Sequence, residues 1–190
     1  KIIMSGAAKR GCNIDRETAA YLIETSGNDL TILQNETDKL CNFKNGDQIT
    51  KTDIDEVCVK SLEASVFDLS RAVTKNDGKK AFSVLHKLFA EKEKPELILG
   101  TMIMAFVDMY RAKVAVSSGE KANFAASCYN YRSREFRLRN ASYDSRNISI
   151  KTLRKNLDSL NEADRKLKIR VTDEKIILEK LLVELLRSEQ

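Results

Sequence analysis

Apolar residues recur along this chain at the three- and four-residue spacing of a helical face, and the interruptions between the runs mark the helix ends. A first helix is expected from the start to about Arg10, closed by Gly11, since glycine reaches the left-handed conformation that often ends a helix. Asp15 opens a second, with Ala19, Leu22 and Ile23 in phase, and Gly27 ends it before Asn28 or Asp29 caps a third that buries Leu30, Leu33 and Leu40. After Asn45-Gly46-Asp47, the stretch Thr50-Lys51-Thr52-Asp53 has the form of a capping box with Asp in place of Glu, and a short fourth helix follows through Ile54 and Val57. Four short helices bury little apolar surface on their own, so this bundle is expected to lean on a neighbour.

Longer helices follow. One is expected from Val66 to about Lys75, and another from Asp77 to about Glu93 with Ala81, Leu85, Leu88 and Phe89 inward. Pro95 then occupies a first helical turn, where its missing N–H costs nothing, and starts a helix to about Val116. That helix is apolar on more than one face at its beginning, which predicts central burial. Beyond the loop Ser117-Ser118-Gly119 the pattern is weak until Ser149 caps a helix to about Lys166 through Leu153, Leu157 and Leu160. The last helix follows Thr172 with Leu178, Leu181, Leu182 and Leu185 on one stripe, and Ile176, Val183 and Leu186 widen that stripe. Two readings of it stand side by side, a core helix and a helix that also packs on another subunit.

Composition agrees with an all-α fold. A single Pro and seven Gly in 190 residues leave few breaks, and 42% hydrophobic with 32% charged residues is the balance of a globular chain rather than a disordered one. Charge divides the sequence: residues 1–58 hold 7 Lys/Arg against 10 Asp/Glu, while residues 59–190 hold 26 against 18. Two domains are therefore expected, a helical one over 1–58 and a larger, basic one over 59–190.

Candidate chemistry is sparse. No phosphate-binding G-x-x-x-x-G-K-[ST] loop occurs, and the glycines are scattered singly. His86 is the only histidine, and Cys12, Cys41, Cys58 and Cys128 form no C-x-x-C pair, so neither a metal site nor a disulfide framework is expected and a reducing cytoplasm is the simplest setting. The carboxylates Asp53, Asp55 and Glu56 stand at a helix start, where the dipole favours them, so no catalytic residue is assigned. The longest apolar run, 97–107, is too short for a bilayer, which needs about 20 residues. The chain begins at Lys1 inside an expected helix, which reads as a fragment of a longer protein.

The informative cluster is basic. Residues 132–170 carry 12 Lys/Arg against 5 Asp/Glu, with Tyr129, Tyr131, Phe136 and Tyr143 interleaved, the composition of a surface that meets phosphates and stacks on bases; a merely solvated helix face has the same composition.

The order of segments carries a resemblance. Gly11-Cys12-Asn13-Ile14-Asp15, Ala20-Tyr21-Leu22, Gly27-Asn28-Asp29-Leu30, Asp38-Lys39-Leu40 and Ile49-Thr50 resemble the lid of the clamp-loader AAA+ fold of bacterial delta subunits. Val66-Phe67-Asp68-Leu69, Pro95-Glu96-Leu97-Ile98-Leu99, Tyr110-Arg111-Ala112-Lys113, the stretch 160–168 and Leu178-Glu179-Lys180-Leu181-Leu182 resemble that family's collar. The resemblance implies a lid over 1–58, a collar over 59–190, and a role in the DNA polymerase III holoenzyme without catalysis or cofactor of its own. It further implies collar partners in delta prime and gamma/tau, with Ile176, Val183 and Leu186 as the contact, and a sliding clamp met through a part absent from this sequence. Lys168 and Arg170, before the last helix, are the residues through which primer-template DNA would be met, unless both simply solvate a loop. Two alternatives remain, the equivalent region of delta prime or gamma/tau, and a freestanding helical nucleic-acid-binding protein.

Overall fold

The computed structural model describes residues 1–131, 134–169 and 173–187, and it is all-α apart from one two-residue strand pair. Two compact units divide at Ser65/Val66.

In the first unit, α1 (Ile2–Lys9) ends where Gly11 takes a φ of +77° and Cys12 N–H returns to Ala7 O at 3.0 Å. Asp15 caps α2 (Arg16–Ser26) by accepting from Thr18 N–H at 2.7 Å, and Asp29 caps α3 (Leu30–Lys44) by accepting from Ile32 N–H at 3.0 Å. Thr50 and Asp53 complete the reciprocal capping box of α4 (Lys51–Val57). Leu22, Leu40, Ile49 and Ile54 are fully buried together with Ile3, Ala7, Cys12 and Leu33. Leu30, expected inside, is 55% exposed. It has the right helical phase, but at the first helical position no neighbour covers it.

The sequence pattern did not foresee the strands. β1 (Asn13–Ile14) runs parallel to β2 (Gln48–Ile49), pairing Asn13 with Gln48 and Ile14 with Ile49. Strands of two residues are too short to show alternation. The segment after α4 stays with the first unit, because Ser61 N–H donates to Thr25 O at 2.8 Å.

The Asp53 side chain shows what holds α4. Burial alone would raise its pKa, yet hydrogen bonds from the Thr50 hydroxyl and N–H, both at 2.7 Å, and from Lys44 at 3.4 Å hold it below the ordinary carboxylate value. A carboxylate depressed in the folded state contributes stability above its unfolded pKa and loses that contribution as pH falls through the folded value. Asp53→Ala is expected to weaken α4 by about 1 kcal/mol at neutral pH. The loss should fade in acid, as read from hydrogen exchange of the α4 amides against pH. An equal loss at neutral pH and in acid strong enough to protonate the folded carboxylate would contradict the capping account.

The second unit is built around α7 (Pro95–Ser117), whose Ile98, Leu99, Met102, Phe106 and Met109 are buried. It packs against α9 (Phe136–Asp144), α10 (Ile150–Ile169) and α11 (Glu174–Arg187). α5 (Leu62–Thr74) starts earlier than the apolar phase indicated because the Ser61 hydroxyl accepts from Ala64 N–H at 3.2 Å. α6 (Gly78–Ala90) is capped by Asp77 and ends short of Glu93, with Lys92 in the left-handed region at φ +61° and Glu93 N–H bonded to Leu88 O at 3.1 Å. A 3-10 turn at Ala122–Phe124 and α8 (Ala125–Cys128) lead towards α9. α9 escaped the pattern because only Leu138 and Ala141 of its residues are buried. Lys113 on α7 reaches the carbonyls beyond α9, donating to Ser145 O at 3.1 Å and Arg146 O at 2.8 Å, which satisfies acceptors a helix end leaves open.

Candidate subunit interface and basic segment

On α11 the stripe Leu178, Leu181, Leu182 and Leu185 is buried within the unit, as its spacing requires. Of the three residues that widen it, Ile176 is 42% and Val183 39% exposed; seven positions apart, they share one line of the helix. Leu186 is half-buried, and its Cδ1 would lie 3.4 Å from a Cβ placed on Gly78 of α6. The structure thus leaves two of the three open and turns Leu186 partly inward.

α7 supplies an open apolar face that the sequence pattern had assigned to central burial. Leu97 is 52% and Met104 46% exposed, and Gly100 lies between them on the same face. The helix has neighbours on several sides, but none among the described residues of the second unit covers this one. A Cβ on Gly100 would meet nothing within 4 Å, so packing within the unit does not require a glycine there. Gly100→Ala is expected to stabilise the isolated protein by about 1 kcal/mol, the difference in helix propensity. A urea titration reads this directly, and a lowered midpoint would mean that the site is more crowded than its geometry indicates.

The basic segment is less available than its charge count implies. Arg137 is largely buried beside Asp108, Nη2 to Oδ2 at 2.9 Å, an ionic approach outside good hydrogen-bond alignment. The Tyr131 hydroxyl donates to Asp108 Oδ1 at 2.7 Å and accepts from Arg111 at 3.2 Å. Burial, reinforced by the bond to Asp108, raises the Tyr131 phenol above its ordinary pKa, so it remains a donor. Arg111 stacks 3.6 Å from the Tyr129 ring, and Arg154 donates to the Tyr110 hydroxyl at 3.1 Å. Charge counting cannot detect such pairings, because the partners lie far apart in sequence. Lys166 pairs with Glu162 at 3.8 Å, and Lys168 pairs with Asp164 while its side chain stays 74% exposed. Arg170 and Arg132 lie outside the described residues.

Burial raises the Cys58 thiol to about 12, helped by the Glu36 carboxylate, and raises Cys41 to about 11, helped by Cys12. Neither is poised as a nucleophile. His86, on α6, stands 3.1 Å from Glu179 of α11 on an exposed surface. Among the described residues no group of three His, Cys, Asp or Glu side chains is arranged to hold a metal ion, and no helix is long and apolar enough to cross a membrane.

Comparison with known proteins agrees with the architecture. DNA polymerase III subunit delta of Bacillus subtilis (strain 168) is 25% identical over 178 residues, covering 93% of this chain and 51% of the relative. The solved Bacillus subtilis DNA clamp loader delta protein superposes with a TM-score of 0.80 at 24% identity, over 97% of this chain and 54% of that one. The chain therefore spans about half the length of these relatives. A family model described as a middle domain matches residues 1–56. A second, for the DNA polymerase III delta subunit, C-terminal domain, matches residues 63–185, well over half of the sequence, and the chain belongs to that family.

Proposed function

We infer that this chain is the lid and collar part of a clamp-loader delta subunit, acting in DNA replication as a non-catalytic element that holds the loader together. The match of residues 63–185 to the delta C-terminal domain carries the reading. The first unit is the lid and the second the collar. ATP bound elsewhere in the complex drives clamp opening, and the sliding clamp is met by a part of the intact protein outside this sequence. The collar partners are delta prime and gamma/tau, whose helices cover the open line of Ile176 and Val183, with Leu186 at its edge. A partner helix there replaces water on apolar surface, the main source of association energy in such contacts.

The match to a delta model favours delta over the equivalent region of delta prime or gamma/tau. A freestanding nucleic-acid-binding protein is the less supported reading, since Arg137, Arg111 and Arg154 are engaged within the unit. Contact with primer-template DNA through Lys168 and Arg170 adds charge attraction alone, without an aromatic residue for stacking.

The test is assembly. The intact protein is expected to co-elute with delta prime and gamma/tau from a sizing column at micromolar concentration and to remain bound at high salt, as an apolar contact should. Failure to co-elute, or release by moderate salt, would overturn the proposed interface.

A further inference from the structure

Away from α11, the second unit contains a cleft of about 490 Å³ between the end of α5, the turn after α9 and the start of α10. Its size lies within the range of about 300–1,000 Å³ typical of small-ligand sites. Lys75, Arg146, Asn147 and Tyr143 line it, with Ser149 and Thr152. Asp144 is the one carboxylate among its lining residues, and Arg71 Nε neutralises it at 3.1 Å. The wall is therefore net positive.

The polar groups of this wall are unevenly satisfied. Ser149 Oγ and Thr152 Oγ1 bond each other at 2.8 Å. Among the described residues, the Lys75 ammonium and the Asn147 amide have no hydrogen-bond or ionic partner. The Arg146 guanidinium lies 4.1 Å from the Tyr143 ring centre, a contact with the ring that uses none of its N–H groups as donors to oxygen. Single solvated lysines are ordinary. Here three residues whose side-chain donors have no acceptor among the described residues line one cleft, beside Tyr143, which is 59% exposed.

We propose that this cleft binds one nucleotide unit of single-stranded nucleic acid, with its phosphate on Lys75, Arg146 and Asn147 and its base against Tyr143. Charge-assisted hydrogen bonds from cationic side chains are the strong contacts available to a phosphate. Stacking on an aromatic ring with a guanidinium alongside is how single strands are held without sequence preference. A concave pocket of this size accepts an unstacked nucleotide, whereas a duplex keeps its bases inside the helix. The cleft involves α5, α9 and α10, so its role stands or falls separately from assembly through α11.

The test uses the intact protein and the fluorescence anisotropy of a labelled oligothymidylate. Lys75→Ala/Arg146→Ala is expected to weaken binding at least tenfold. It should also make the dependence of log K on log salt shallower by about 0.7, the value for the one single-strand phosphate contact removed. Tyr143→Ala should weaken binding about tenfold while leaving the salt dependence unchanged. The control Lys87→Ala/Lys121→Ala, outside the cleft, should bind like the parent, and an unchanged thermal midpoint in every variant excludes unfolding as the cause. Parent-like binding by the cleft variants, or an equal loss in the control, overturns the site. Inorganic phosphate as a competitor distinguishes the sources of the anion. Phosphate binding that is lost in the double variant while oligonucleotide binding persists would identify a free-anion site and overturn the nucleic-acid assignment.

Discussion

Replacing Asp108 by alanine is expected to destabilise the second unit by about 3–5 kcal/mol, the cost of stranding a buried charge. The Asp108 and Arg137 side chains are only 7% and 11% exposed, so water cannot replace the lost partner. The same carboxylate accepts from Tyr131, whose hydroxyl in turn receives Arg111, and the substitution therefore removes the acceptor on which the surrounding donors converge. Asp108→Asn should be milder, because it keeps an acceptor for Tyr131 while giving up the charge. Arg137→Ala in the Asp108→Ala background should recover part of the loss, since no buried cation is then left behind. Urea unfolding of the three variants against the parent measures this. A change under about 1 kcal/mol for Asp108→Ala would mean that the pair is solvated and contributes like a surface bridge.

The second large effect concerns assembly. Ile176→Asp/Val183→Asp is expected to weaken the proposed association with delta prime and gamma/tau at least a hundredfold. Both substitutions place a charge where an apolar helix would have to cover it. Because the two residues are 42% and 39% exposed, the stability of the protein alone should change by no more than about 0.5 kcal/mol. Leu186→Asp provides the contrast: half-buried beside Gly78, it should reduce stability as well as assembly. Sedimentation of the mixed subunits separates these outcomes. Assembly that persists in the double variant would place the contact elsewhere, and the uncovered face around Leu97, Gly100 and Met104 would be the next to test.

Features that depend on neighbouring residues were legible in the chain. Asp15, Asp29, Thr50 with Asp53, Asp77, Pro95 and Ser149 all stand at helix starts, because a cap is a bond across three residues and needs nothing distant. The leucine stripe of α11 was legible for the same reason. What the pattern missed depends on partners far away in sequence. The Ile14–Ile49 pairing joins strands of two residues, α9 exposes most of its length, and Leu30 has the phase of a core residue but nothing opposite it. The placing of Ile176 and Val183 on one exposed line of α11, where the interface is proposed, followed from helical phase. The exposure of Leu97 and Met104 depended on which sides of α7 its neighbours leave free. The basic segment misled most, since a count of Arg residues cannot show that Arg137 faces Asp108 inside the unit.

The small parallel ladder of the first unit also bears on how that unit folds. Ile14 and Ile49 meet only after α2 and α3 have doubled the chain back, so their contact pays loop-closure entropy that the helices themselves do not. Helices α2 and α3, with their own caps, can form from local contacts, whereas the ladder belongs to the slow, non-local part of the search. A protein emerging in order from the ribosome therefore holds β1 unpaired until α2, α3 and β2 have all been synthesised.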